Sequence, residues 1–166
     1  MKLALFLAAV SLAGCADASD LPADPRATLD PISFFTGRSH GEASLHKIMS
    51  SDVHVSVDSV GRPDGHGGLI LDQTIREGAK PKRQRRWVMQ PVSANRFTGT
   101  LTDAVGPVDV MIAGPRVNIR YRMKSGLIVE QQLALQSDGS TVLNVLIVKK
   151  FGVRVARLTE TIRKLD

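Results

Sequence analysis

The chain has 166 residues, a net charge of +6 and one cysteine. That length suffices for one domain with a real core, and a lone cysteine excludes an internal disulfide. Aromatic residues are 4% of the chain, too few for a platform that stacks bases or sugars, so no nucleic-acid partner is expected.

Lys2 opens the chain with a positive charge, and Leu3 to Leu12 form an apolar run. The run has the length of a secretory signal and is too short to span a bilayer. It ends in Leu12-Ala13-Gly14-Cys15, which resembles the lipobox of bacterial lipoproteins. The reading therefore predicts a signal peptide over residues 1–14 and a lipidated Cys15. Diacylglycerol on sulfur plus an acyl group on the new N-terminus exceeds the two chains that stable anchoring requires. Residues 15–29 are small, polar and proline-bearing, and predict a flexible tether. Ala16 stands where an aspartate would signal inner-membrane retention. The expected location is thus the bacterial cell envelope, lipid-anchored at the outer membrane and facing the periplasm, as a monomer. The basic balance suits anionic headgroups.

Residues 30–166 are the predicted folded domain. Val53, Val55 and Val57 alternate with His54, Ser56 and Asp58, the period of a half-buried strand. Gly61 to Gly68 reads as a loop, and Leu69 to Glu77 as the next strand. Arg83 to Val92 follows, with Arg85, Trp87 and Met89 on one face. Phe97, Gly99 and Leu101 share a face of another strand, and Val108 to Ala113 precede Gly114-Pro115. Val117, Ile119, Tyr121 and Met123 alternate with Asn118, Arg120 and Arg122. Ser125-Gly126 turns into Leu127 to Gln136, and residues 137–140 turn into Thr141 to Lys149. Val155, Leu158 and Ile162 would allow a final helix, but the Val, Thr and Ile content of Val153 to Lys164 favours a strand. About nine or ten strands at this regular spacing predict an all-β fold. Short consecutive hairpins suit an up-and-down antiparallel barrel, whose closure removes exposed edges.

The chain resembles the lipoprotein family called domain of unknown function 3833. The residues that carry the resemblance are Phe34-Phe35-x-Gly37, Gly41, Arg85-x-Trp87, Phe97-x-Gly99, Val105-Gly106, Tyr121, Asn144 and Lys150-Phe151-Gly152-Val153. Their order and spacing are more specific than any one piece. The resemblance implies a lipocalin-like barrel on a tethered lipoprotein and hints at lipid handling. It supplies no catalytic residues. The segment Gln131 to Leu135 departs from the Asp-Trp-Met-like stretch usual in that family.

Lys80 to Arg86 holds five cations in seven residues, the ordinary composition of a solvated hairpin end. Arg85 is different, because it shares the face of Trp87, the only tryptophan. A buried guanidinium is unfavourable unless an anion pairs with it, and it can hold a carboxylate bidentately. Gln131 shares a face with Val129 and Leu133 and can lend a second donor. Tyr121 and Asn144, both in the shared pattern, complete the candidate ligand-binding set of Arg85, Trp87, Tyr121, Gln131 and Asn144. His40, Glu42 and His46 could share a strand face, but exposed polar residues are the simpler reading, and no metal, cofactor or catalytic residue is predicted. Gly65-His-Gly-Gly68 matches an oxyanion turn only superficially. The expected function is binding of a fatty acyl or other amphipathic lipid, since a barrel of roughly this size can hold one small ligand. The alternatives are a structural envelope protein with a filled barrel and an accessory enzyme of lipid modification.

Overall fold

The computed structural model describes residues 21–166; the predicted signal peptide and Cys15 lie outside the described residues. A short helix α1 (Pro31–Phe35) precedes ten strands: β1 (Gly37–Lys47), β2 (Val53–Pro63), β3 (Leu69–Glu77), β4 (Arg83–Ser93), β5 (Arg96–Leu101), β6 (Ala104–Ala113), β7 (Arg116–Met123), β8 (Ile128–Leu135), β9 (Thr141–Lys150) and β10 (Val153–Lys164). Each strand pairs antiparallel with its sequence neighbours, and β1 pairs with β10 to close a barrel. The up-and-down expectation holds, and the last segment is a strand. Alternation drives this: in β3, Leu69, Leu71, Gln73 and Ile75 are buried while their neighbours are half-buried. Register shifts in β4–β5, β6–β7 and β9–β10 add the local bends that closure needs.

One loop reads differently. Residues 61–63, expected as loop, continue β2 and pair with Leu69 to Leu71. Gly61 is there for close approach: a Cβ at this position would lie 1.8 Å from the Phe35 carbonyl oxygen. Glycine in a strand interior often marks such an approach rather than a turn.

What approaches is the plug. Asp30 caps α1, its Oδ1 accepting from the Ile32 amide at 3.0 Å, with Pro31 in the first turn. Phe34 and Phe35 meet edge to face at 4.9 Å. With Leu29 they pack into the main apolar cluster beside Leu69, Met89, Phe97 and Val142, closing one end of the barrel. Lys164 Nζ then donates to the carbonyls of Ser33, Phe34 and Thr36, tying β10 to the end of the plug.

Residues 21–29 depart from the expected free tether. Leu29 is 1% exposed, and its amide donates to the Gly114 carbonyl at 3.0 Å. Leu21 covers Ala134, Val145 and Ile147 on the outer wall, and its carbonyl accepts from Arg116 Nη2 at 2.8 Å. Polar composition hid the two leucines that anchor this segment.

Candidate functional site

The plug fills only one end. Above it lies a cavity of about 400 Å³, within the roughly 300–1,000 Å³ range of small-molecule sites. Its walls carry Leu71, Met89, Ile119, Val129, Leu146 and Val148 among others, and its far end is ringed by Lys47, Glu77, Arg83, Met123, Leu127 and Ala156. The barrel is therefore open inside. All five candidate residues, Arg85, Trp87, Tyr121, Gln131 and Asn144, line this cavity, because each sits on the inward phase of its strand.

Sequence alternation also places a sixth and a seventh group there that had not been singled out. Gln73 lies on the inward phase of β3 opposite Arg85. Its Oε1 accepts from Arg85 Nε at 3.0 Å and from Trp87 Nε1 at 2.8 Å, while its Nε2 donates to Ser59 Oγ at 3.1 Å. One neutral amide thus orients both the guanidinium and the indole. The guanidinium stands 5.4 Å over the Trp87 ring, a favourable cation–π distance, and Trp87 meets Tyr121 edge to face at 5.7 Å.

Glu160 is the other addition, on β10 between the inward residues Leu158 and Ile162. Asn144 Nδ2 donates to its Oε2 at 2.6 Å. Its carboxylate occupies the space that a side chain at Gly41 would take: a Cβ there would fall 2.0 Å from Glu160 Oε1. Burial pushes the Glu160 carboxyl up from its ordinary value of 4.5, against the opposing effects of the Asn144 hydrogen bond and the Arg85 and His40 charges. Burial likewise pulls the Arg85 guanidinium below its ordinary value and pushes the Tyr121 phenol up from 10.0.

Arg85 and Glu160 feel each other's charge across the cavity yet form no ion pair. Among the described residues, Arg85 meets only the neutral Gln73 amide and the Trp87 face. Within the described residues, the two terminal nitrogens of its guanidinium have no acceptor, and the side chain as a whole is half-buried. Two buried acceptors, Gln131 Oε1 and Asn144 Oδ1, have no hydrogen-bond donor either. Buried polar groups are ordinarily satisfied, and a buried cation without a counter-charge is strongly unfavourable. Among the described residues, a largely apolar chamber thus presents one guanidinium without an ion pair and two acceptors without a donor.

The remaining basic residues of the run behave as surface charge. Arg86 Nε and Nη2 bond Asp72 at 2.5 and 3.1 Å, Arg83 reaches Asp103 at 2.8 Å, and Lys80 reaches Glu77 at 2.6 Å. His40, His46 and His54 lie on the outer wall, and His66 lies in the turn between β2 and β3. His40 bonds Glu42 at 2.6 Å and Asp58 at 2.7 Å, His54 takes the other Glu42 oxygen, and His46 pairs instead with Asp52 at 2.7 Å. So His40, Glu42 and His46 are not brought together, and among the described residues no cluster is arranged to hold a metal ion.

Solved structures share this architecture. The chain is similar to the S-type phycobiliprotein lyase CpeS of Guillardia theta, with a TM-score of 0.64 and 9% identity, over 81% of this chain and 90% of that one. It is also similar to a protein of unknown function from the DUF3598 family of Nostoc punctiforme, with a TM-score of 0.66 and 14% identity, over 84% of this chain and 51% of that one. At such identities the likeness is one of fold, a lipocalin-like barrel. No curated protein matches the chain. The family described as protein of unknown function (DUF3833) matches over residues 9–164.

Proposed function

Because the chain belongs to the family described as protein of unknown function (DUF3833), whose description names no activity, we propose a function from the cavity itself: the barrel binds one amphipathic lipid, a fatty acyl chain with an anionic head. The observation that carries this reading is the unpaired guanidinium of Arg85 inside an apolar chamber of about 400 Å³. The acyl chain lies against Leu71, Leu146 and Val148, and the head accepts from the terminal nitrogens of Arg85. Gln131 and Asn144 offer acceptors to any hydroxyl or amide on the same head. The fold shared with a phycobiliprotein lyase is compatible with a small ligand inside the barrel. With the Leu12 to Cys15 lipobox, the protein is read as an envelope lipoprotein that holds its ligand beside the membrane.

The test is a titration of a fatty acid against the fluorescence of Trp87, the one tryptophan, which is 5% exposed and touches the site. Loss of one charge-assisted contact corresponds to about 1.5–3 kcal/mol, or roughly tenfold or more in affinity. Arg85→Gln is expected to bind that much more weakly, and the outward Arg86→Gln to bind as wild type does. Equal losses in both, or none in Arg85→Gln, would remove the inward anchor.

A further inference from the structure

The open mouth of the barrel carries features that the cavity does not require. Only two residues other than glycine have positive φ among the described residues: Met49 at 60° and Phe151 at 50°. Met49 is 100% exposed and Phe151 94% exposed. Left-handed backbone disfavours residues with a side chain, and at such turns Asn, Asp or Gly is the usual choice. The β9–β10 turn instead reads Phe151-Gly152, with Gly152 at 81°, so an aromatic ring is held outward at a strained tip. Solubility alone gives no reason for this.

Both tips are at the same place. Ring closure sets β1 beside β10, and the Ile48 amide donates to the Val155 carbonyl at 3.1 Å. The β1–β2 and β9–β10 turns are therefore neighbours on the rim, and Ile48 and Val153 are exposed beside them. Charge is distributed the same way. The rim segments 47–53, 77–83, 101–104, 123–128 and 149–154 hold eight cations and three carboxylates, a net charge of +5 in a chain of +6. At the plugged end, segments 22–30, 64–68, 93–96, 113–116, 136–140 and 163–166 hold five cations and five side-chain carboxylates. Lys150 Nζ stands 5.7 Å over the Phe151 ring, so cation and apolar tip are presented together.

We propose that this rim docks on an anionic lipid bilayer, with Met49 and Phe151 inserted below the headgroups and the surrounding lysines and arginines against them. Basic residues around exposed apolar side chains are the composition of an interfacial membrane contact. Chain geometry permits it. The Leu21 amide lies at Gln132, four residues of β8 below the rim at Ile128, or roughly 13 Å. Leu21 is six steps along the chain from Cys15, a reach of about 20 Å at full extension, so an anchor at Cys15 and a docked mouth can meet the same bilayer. Docking would set the cavity entrance against the membrane surface.

The test is vesicle co-sedimentation of the chain from residue 15 onward carrying Cys15→Ser, which retains every described contact and has no lipid of its own. Vesicles are phosphatidylcholine alone or phosphatidylcholine mixed with phosphatidylglycerol. Binding is expected on the anionic vesicles, weaker with added salt, and at least tenfold weaker in Met49→Ser/Phe151→Ser. Val92→Ser, which removes an exposed apolar residue near the plugged end, should change nothing. All three substitutions are at exposed positions, and unchanged melting temperatures establish that the variants are folded. Equal partitioning of wild type and the mouth variant overturns the proposal. So does self-association of wild type that Met49→Ser/Phe151→Ser abolishes without any effect on vesicles, which would assign the rim to a second copy. The measurement is independent of ligand uptake: a protein that docks and takes up no fatty acid keeps this proposal and loses the previous one.

Discussion

At the scale of single residues, the cavity sets two opposed charges on largely apolar walls and neutralises neither by contact among the described residues. Arginine stays protonated at any working pH, so Glu160 is the group that titrates. Its carboxyl is raised above 4.5 by burial, which means that folding favours the protonated form. The ionisation penalty is absent below pH 4.5, grows through the window up to the raised folded value, and is full above it. Stability therefore falls as pH rises through that window, and Glu160→Gln should gain melting temperature over wild type at pH 8 but not at pH 4. Binding follows the same window. An alkyl sulfonate keeps its charge throughout, and it should bind more weakly as Glu160 ionises beside it. In Glu160→Gln the slope should vanish. A wild-type profile as flat as that of the variant would show that Glu160 does not face the bound head.

At the scale of elements, the plug and the segment before it decide how the barrel is closed. Leu29 is buried against the main core and bonded to the turn at Gly114. Leu29→Ala should destabilise the fold by about 2–5 kcal/mol, the usual range for a buried leucine, and a chain starting at Asp30 should melt lower still because the Leu21 contacts go too. Unchanged melting of either by calorimetry would return residues 21–29 to the role of free tether. This segment was the least legible part of the sequence: two isolated leucines in a polar stretch have no period to reveal them. The strands were legible because inward and outward residues alternate, as in Val53 to Asp58 and Val117 to Met123. Alternation also put Arg85 inside beside Trp87. The same rule covers Gln73 and Glu160, but a polar residue on an apolar face carries no mark of its partners. Gly61 failed for the opposite reason, since glycine signals a turn and a close approach in the same letter.

At the scale of the whole molecule, the barrel is polarised. One end is sealed by α1 and balanced in charge, while the other is open, basic and tipped with Met49 and Phe151. The cavity lies between them with Arg85, which forms no ion pair among the described residues. On the proposed function, an amphiphile enters from the open end and its head is held at Arg85. Native mass spectrometry of the protein purified from the cells that make it, without delipidation, tests this claim most directly. The account predicts one acyl-bearing anionic molecule per chain, retained in Arg86→Gln and lost in Arg85→Gln. Wild-type protein that arrives without a non-covalently held ligand, and that stays without one when offered fatty acid, would contradict it.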